Sequence, residues 1–195
     1  MTWMLTSSGA LLNLRFIADD AIRVEDIAHH LAQINRFTGA CARPYSVAEH
    51  SLLVVQIMEH MGITNPHALL AGLMHDAHEA YTTDLSTPMK DAVGAAWHAV
   101  ENQVKHAVRR KFALLVASQV AAHGIEIADL TALSTERAQL MPPDGPEWPC
   151  TRMHPPVPWV RLSDRLHMTW QDWRQAFLDK HAELEDARRE DLHDA

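Results

Sequence analysis

Apolar residues recur at helical spacing along most of the chain, and this pattern predicts an all-α fold. Near the N-terminus, Ile27, Leu31 and Ile34 form an i, i+4, i+7 stripe in a predicted helix over about 24–35. Alternation of β-branched and polar residues, which is typical of a half-buried strand, is nearly absent. We therefore expect a bundle of about six helices.

Cap residues and helix breakers divide the middle of the chain into four further predicted helices. Ser46 and Glu49 have the spacing of a capping box, in which the two side chains satisfy amides of the first helical turn. Asn65 before Pro66 is a second start signal, with a cap residue followed by proline at the first helical position. The predicted helices are 46–61, 66–81, 87–122 and 126–141, the first stopping at Gly62 and the third at His123-Gly124.

The C-terminal part of the chain is divided by proline. Seven prolines lie between residues 142 and 158 and predict an extended connector, because proline suits neither a helix interior nor a central strand. Beyond it, aromatic and leucine residues from Trp159 to Phe177 recur at helical spacing, so a last helix is expected to dock onto the body. The charged residues from Asp179 onward are expected to fray. The expected organisation is one domain over 1–195, with a core at about 22–141, a connector at 142–158, and a C-terminal helix and charged tail at 159–195.

The composition limits the classes of function. A chain of 195 residues with 47% hydrophobic content can bury a real core. Its net charge of -8 disfavours an extended surface for nucleic acid, so no stable nucleic-acid partner is expected. Cys41 and Cys150 are far apart and favour neither a disulfide framework nor a thiolate metal site. With no export signal and no apolar run of about 18 residues, we expect a cytoplasmic protein that does not enter a membrane.

Four residues have the mixed nitrogen and oxygen ligands that suit a catalytic divalent metal: His50, His75, Asp76 and Asp129. The adjacent pair alone is weak evidence, because roughly one His-Asp dipeptide is expected by chance in this composition. His193-Asp194, in the charged tail, is a second such pair without an apolar helix around it. The position of each residue on its helix therefore decides the interpretation.

Three of the four predicted metal ligands face inward from apolar surfaces of three predicted helices. His50 shares its face with valines and methionines, and His75 shares one with Gly72, which leaves room for a close approach. Asp129 lies on an apolar stripe of its own, where an unpaired carboxylate would be costly. One divalent ion would satisfy all of these groups together. The alternatives are a core histidine with a single hydrogen bond at position 50, and Asp164 as the fourth ligand.

Charged residues near the predicted ligands suggest phosphate chemistry. Glu79 and Asp84 are carboxylates beyond the ligand set, as a metal-assisted hydrolase needs to orient water and transfer protons. Their alternatives are a solvated first-turn charge and a helix cap, respectively. The planar fork of Arg36 suits a phosphate, or else the C-terminal dipole of the first helix. Lys90 is a further candidate for phosphate contact, with an exposed first-turn lysine as the alternative.

These motifs together resemble the HD-domain phosphohydrolases, which are defined by His…His-Asp…Asp metal ligation. The chain is similar to bacterial 5′-deoxynucleotidases and to the related phage HD hydrolases, including dATP triphosphohydrolases. The similarity lies in Arg36-Phe37, in the segments 46–51, 75–79 and 83–90, and in their order. The resemblance covers about 22–140. It implies a helical bundle around a divalent metal bound by the four predicted ligands.

The resemblance also implies roles for the surrounding residues. Glu79 and Asp84 would carry out acid–base chemistry, and Arg36 would hold the phosphate. Deoxynucleotidases commonly have tryptophan after that arginine, beside the sugar and base, where this chain has Phe37. Phenylalanine keeps an apolar plane but lacks the indole N–H donor, so the nucleotide preference stays open.

Several alternatives remain open at the level of sequence. The leading hypothesis is a hydrolase of deoxynucleoside monophosphates or triphosphates. A phosphodiesterase or nuclease and a non-catalytic metal- or nucleotide-binding protein are the alternatives. The ligand set accepts Mn²⁺, Co²⁺, Fe²⁺, Zn²⁺ or Mg²⁺, with room for a second ion near Glu79. The aromatic C-terminal helix could cap its own domain or pack in a homo-oligomer.

Overall fold

Helices make up most of residues 3–193, the range that the computed structural model describes. An antiparallel hairpin of β1 (Trp3–Leu5) and β2 (Leu11–Asn13) precedes them. The described helices are α1 (Val24–Leu31), α2 (Val47–His60), α3 (Pro66–Leu73), α4 (Glu79–Thr82), α5 (Thr87–Val93), α6 (Ala95–Lys111), α7 (Leu115–Val120), α8 (Ala122–Leu140), α9 (Pro149–Met153) and α10 (Trp170–His193). The predicted all-α class is confirmed. The side chains of His193-Asp194, the chance pair, lie outside the described residues.

Helix α2 lies at the centre of the bundle. It contacts α1, α3, α8 and α10, and Val47, Leu53, Val54 and Met58 are all fully buried. A helix that is apolar on nearly every side belongs in a core. His50, on the same helix, is therefore placed in the interior and is fully buried.

Gly72 allows α3 to pack closely on α2. A Cβ added at Gly72 would overlap Met58 Sδ, so a larger residue would force the Met58 side chain or the helix to shift. The close approach predicted at this glycine is therefore present. It brings the His75-Asp76 segment, just after α3, close to the part of α2 that carries His50.

The single helix predicted over 66–81 is wrong, because the chain leaves the α-helix after Leu73. Residues 74–78 form tight turns, in which Ala77 N donates to Met74 O at 3.1 Å and Glu79 N donates to Asp76 O at 2.9 Å. Such i to i−3 bonds rotate each residue further round the axis than an α-helix does. The His-Asp pair is thus presented from a turn between α3 and α4.

The long helix predicted over 87–122 is divided into α5, α6 and α7. The breaks fall at Gly94 and Ala113, which have φ of 69° and 53° in the left-handed region. The predicted stop at His123-Gly124 is also wrong, since both residues lie inside α8. A Cβ at Gly124 would come within 2.9 Å of Ile63 Cδ1, so this glycine allows close packing rather than ending a helix.

The predicted start signals of α2 and α3 behave differently. Asn65 Oδ1 accepts from Ala68 N at 3.0 Å, as a helix cap does. Ser46 Oγ accepts from Glu49 N at 3.1 Å, but the Glu49 carboxylate pairs with Arg43 through two 2.8 Å bonds instead of completing the capping box.

The C-terminal segment differs from expectation at both ends. The connector contains the short helix α9, and α10 begins at Trp170 rather than near Trp159. Helix α10 then continues through the charged residues that were expected to fray, where ion pairs such as Arg188 to Glu185 at 2.8 Å lie along its surface. Trp173 and Phe177 are buried on its inner side, and α10 contacts α1, α2 and α3.

No helix in the described range is both long enough and apolar enough to cross a bilayer.

Candidate metal centre

The structure brings the four predicted metal ligands together from three parts of the bundle. His50 Nε2 lies 3.1 Å from Asp129 Oδ1 and 3.8 Å from Asp76 Oδ2. His75 Nε2 lies 3.1 Å from Asp76 Oδ2 and 4.0 Å from Asp129 Oδ1. Helix α2, the turn after α3 and helix α8 therefore present two imidazoles and two carboxylates to one point.

Both imidazole rings are oriented by a contact on their far side. His50 Nδ1 lies 2.6 Å from Glu136 Oε1, and His75 Nδ1 lies 2.8 Å from the carbonyl of Gly72. With Nδ1 donating in both cases, each Nε2 is left as the free ligand atom. The two Nε2 atoms are buried and have no hydrogen-bond partner within the described residues, which fits a shared cation between them.

The electrostatics of the site also favour a cation. Burial and the Arg36 charge both lower the pKa of His50, but Glu136 and Asp129 outweigh them and raise it to about 9. Burial opposes ionisation of Asp76, yet the neighbouring His75 and His50 bring its pKa well below the usual range. The carboxylates thus remain charged and attract positive charge to the point where the ligands meet. The donor set and its field fit a divalent metal ion.

Asp129 lies at the mouth of the site rather than inside the core. Its side chain is 40% exposed, while Ala128 and Ala132 form the buried stripe of α8. The alternative fourth ligand, Asp164, is exposed in a 3-10 turn and lies 3.3 Å from Ser163 Oγ. Asp129 is therefore the aspartate that approaches His50, and its exposure leaves a path to the site.

Glu79 and Asp84 lie in the field of the metal site. Glu79 is buried, its Oε2 has no partner within the described residues, and burial, reinforced by Asp76 and Asp84, raises its pKa well above the usual range. The solvated-charge alternative for Glu79 is therefore wrong. Asp84 is half-buried, and burial raises its pKa against the opposing charge of Arg36. It is not the cap of α5, because that position belongs to Ser86.

Arg36 is a buried cation next to the predicted ligands. Its Nε and Nη2 each lie 3.3 Å from Glu136 Oε2, and its Nη1 lies 3.9 Å from Asp76 Oδ2. The described partners of its guanidinium are these two carboxylates and not the C-terminal turn of α1. The guanidinium plane is fixed with one edge toward the metal site.

Phe37 and Lys90 both lie next to residues of this centre. Phe37 follows Arg36 with φ of 56° in the left-handed region, and Arg36 Cζ lies 5.3 Å from its ring centroid. Lys90 Nζ lies 2.6 Å from Glu101 Oε1, so its ammonium is already paired. The Lys90 charge still lowers the pKa of both Glu79 and Asp84.

Glu136 is the main residue that the sequence-based prediction missed. It is fully buried, and in addition to His50 and Arg36 it accepts from the Tyr45 hydroxyl at 2.9 Å. Its position could have been predicted, because Glu136 follows Asp129 by seven residues, which is two helical turns along nearly the same face. Burial raises the pKa of Glu136. The charges of Arg36 and His50 and the hydrogen bonds with His50 and Tyr45 outweigh this effect and hold the pKa below its usual value.

A second group of potential ligand atoms lies beside the first. Oxygen or nitrogen atoms of Asp76, His78 and Glu79 all lie within 4.8 Å of one another. This is the region where the sequence left room for a second ion.

Residues 47–169 match the family described as HD domain, a stretch that contains all four predicted metal ligands. The chain belongs to the HD-domain family. It is therefore a metal-dependent phosphohydrolase with a divalent metal ion as cofactor, as the sequence predicted.

Two individual proteins are also similar to this chain. The chain is 34% identical over 149 residues to the uncharacterized protein YfdR of Escherichia coli, a match that covers 76% of this chain and 78% of that protein. It is also 34% identical over 145 residues to the uncharacterized protein RCAP_rcc00048 of Rhodobacter capsulatus, with coverage of 71% and 72%. The similarity to these two proteins extends over most of each chain.

Glu136 provides a test of how the metal site is supported. Glu136→Gln should lower metal affinity by about 10- to 100-fold, because the amide is a weaker acceptor for the His50 ring and leaves Arg36 uncompensated. Competition with a chromophoric chelator measures the change. Glu49→Gln is the matched control, since Glu49 is an equally buried carboxylate on α2 that pairs with Arg43 and not with His50. Wild-type affinity in Glu136→Gln would contradict the supporting role.

Proposed function

We propose that the chain hydrolyses deoxynucleotides, releasing either phosphate from a monophosphate or triphosphate from a deoxynucleoside triphosphate. The observation that carries this proposal is the placement of Arg36. Its guanidinium is fixed by Glu136 and has one edge 3.9 Å from Asp76, where it can hold a phosphate against the metal site. Phe37, the next residue, offers an apolar ring on the side where a nucleoside would continue.

The proposal assigns a role to each group around the phosphate. His50, His75, Asp76 and Asp129 hold the ion, and a divalent ion in such a site supplies Lewis-acid chemistry and neutralises developing charge. Arg36 binds phosphate oxygens with its planar fork. Lys90, already paired with Glu101, contributes its charge at a distance.

Two carboxylates transfer the protons of the reaction. Glu79 accepts a proton from the attacking water at Oε2, the oxygen without a protein partner, as the new O–P bond forms. Asp84 donates a proton to the 5′ oxygen as the bond between phosphorus and that oxygen breaks. An alkoxide is a poor leaving group without this proton, and the 5′ oxygen is the leaving group whether phosphate or triphosphate is released. The net charge of -8 favours a small nucleotide over a nucleic acid.

We also propose that the whole chain forms one catalytic unit. The connector and α10 belong to it, since Val160, Leu162 and Phe177 are buried in the same hydrophobic core as α1 and α2. A second subunit is not required to complete the groups described above.

A substrate panel tests the proposed function. Deoxynucleoside and ribonucleoside monophosphates and triphosphates would be offered with Mn²⁺, Co²⁺ or Mg²⁺, with phosphate and triphosphate measured separately. We expect turnover of deoxynucleotides, and the released product identifies the bond that is cut. Hydrolysis of p-nitrophenyl phosphate without hydrolysis of any nucleotide would contradict the proposed substrate class. Metal binding with no turnover of any substrate would instead indicate a binding protein.

A further inference from the structure

A row of three side chains leads away from the metal site toward the connector. Arg36 Cζ lies 5.3 Å from the Phe37 ring centroid, and that centroid lies 5.8 Å from the ring of Trp148. The two ring planes meet at 37°, so they diverge on one side instead of lying flat against each other. Trp148 belongs to the proline-rich connector, more than one hundred residues after Phe37 in sequence.

The connector holds Trp148 firmly in this position. Arg137 Cζ lies 5.5 Å from the Trp148 ring centroid, and Arg137 Nη1 donates to the carbonyl of Pro142 at 2.8 Å. A Cβ at Gly145 would come within 2.9 Å of Arg137 Nη2, so the connector passes close over the end of this arginine. Thr151 Oγ1 donates to the Trp148 carbonyl at 2.7 Å. The ring is therefore pre-positioned and does not depend on a bound ligand for its place.

The backbone at Phe37 supports a role beyond packing. Both Phe37 and Thr38 lie in the left-handed region, at φ of 56° and 54°, which is costly for residues with a Cβ. This conformation directs the Phe37 ring to the side where Trp148 arrives. Both rings are only partly buried, so their free faces and edges are open to a ligand.

We propose that Trp148 adds a nucleobase-stacking surface beside Phe37, and that this Trp148 subsite determines how strongly a base is bound. The proposal rests on the proposed function, because Arg36 fixes the phosphate end of the nucleotide and the aromatic pair lies directly beyond it. A planar base gains stacking energy against an aromatic ring whatever its hydrogen-bonding edge, and a purine offers the larger face. Trp148 also brings an indole N–H donor to a site where Phe37 has none.

Comparison of a nucleotide with its base-free counterpart tests this subsite. The ratio of kcat/KM for deoxyadenosine monophosphate to kcat/KM for 2-deoxyribose 5-phosphate would be measured for wild type, Trp148→Ala, Trp148→Leu and Trp148→Phe. Loss of one base–aromatic contact should lower the ratio about tenfold in the alanine and leucine variants and much less in the phenylalanine variant. The leucine variant keeps apolar bulk against Arg137, so it provides the test if the alanine variant does not fold.

Trp159→Ala is the matched control. Trp159 is a partly exposed tryptophan of the same segment, but it lies against His60 at the far end of α2, with ring centroids 4.9 Å apart. The ratio of the two kcat/KM values for Trp159→Ala should equal that of wild type. An unchanged ratio in both Trp148→Ala and Trp148→Leu would overturn the subsite while leaving the proposed function intact. Turnover of 2-deoxyribose 5-phosphate without turnover of any nucleotide by wild type would overturn both.

Discussion

His75→Ala should remove both the bound metal and at least about a thousandfold of the phosphohydrolase activity, since the ion supplies several kcal/mol of charge stabilisation. His75 Nε2 is buried without a protein partner, and its ring is fixed through Gly72 O, so no other side chain is placed to substitute for it. Metal content by mass spectrometry and phosphate release would be measured on the same sample.

The control for this variant is a histidine outside the site. His60 lies at the exposed C-terminal end of α2, the helix that carries His50, and His60→Ala should keep both metal and activity. A His75→Ala protein that binds metal as tightly as wild type would show that the predicted ligand set is wrong.

Asp84→Asn should keep the metal and lower kcat for a monophosphate by about 10²- to 10⁴-fold, the usual contribution of one acid–base group. The side chain keeps its size, so binding should change little, whereas the proton for the 5′ oxygen is lost. The loss should be similar for a triphosphate substrate, because the same 5′ oxygen leaves when triphosphate is released. Steady-state kinetics on both substrates measure the loss.

Asp91→Asn serves as the reference for that measurement. Asp91 is an exposed carboxylate on α5, the helix that begins just after Asp84, and its replacement should leave kcat unchanged. An Asp84→Asn enzyme with full activity and normal metal content would rule out the acid role assigned to Asp84.

The sequence predicted which candidate residues come together better than it predicted the boundaries of the helices that carry them. His50 could be assigned to the interior because its neighbours on the helix face are apolar, and Asn65-Pro66 marked the start of α3 correctly. The end of α3 could not be predicted, because residues 74–78 contain neither proline nor glycine. The turn there is held by local hydrogen bonds that the apolar pattern does not reveal, among them the bond from His75 Nδ1 to Gly72 O.

Long-range contacts account for what was missed around the site. Glu136 reaches His50 across 86 residues of sequence, and only its spacing from Asp129 pointed to a shared face. Trp148 lies in a segment read as a plain connector, and nothing local links it to Phe37. Its position depends on Arg137, one residue after Glu136 on α8, so a single helix supports both the metal site and the aromatic pair.

The central claim is that deoxynucleotide hydrolysis depends on an ion held by His50, His75, Asp76 and Asp129. The most direct test is phosphate or triphosphate release by protein that has been stripped with a chelator and then reloaded stepwise with Mn²⁺ or Co²⁺, with metal content measured at each step. The account predicts no turnover in the stripped protein and a rate that rises in proportion to occupancy. Undiminished nucleotide hydrolysis by protein without metal would contradict it.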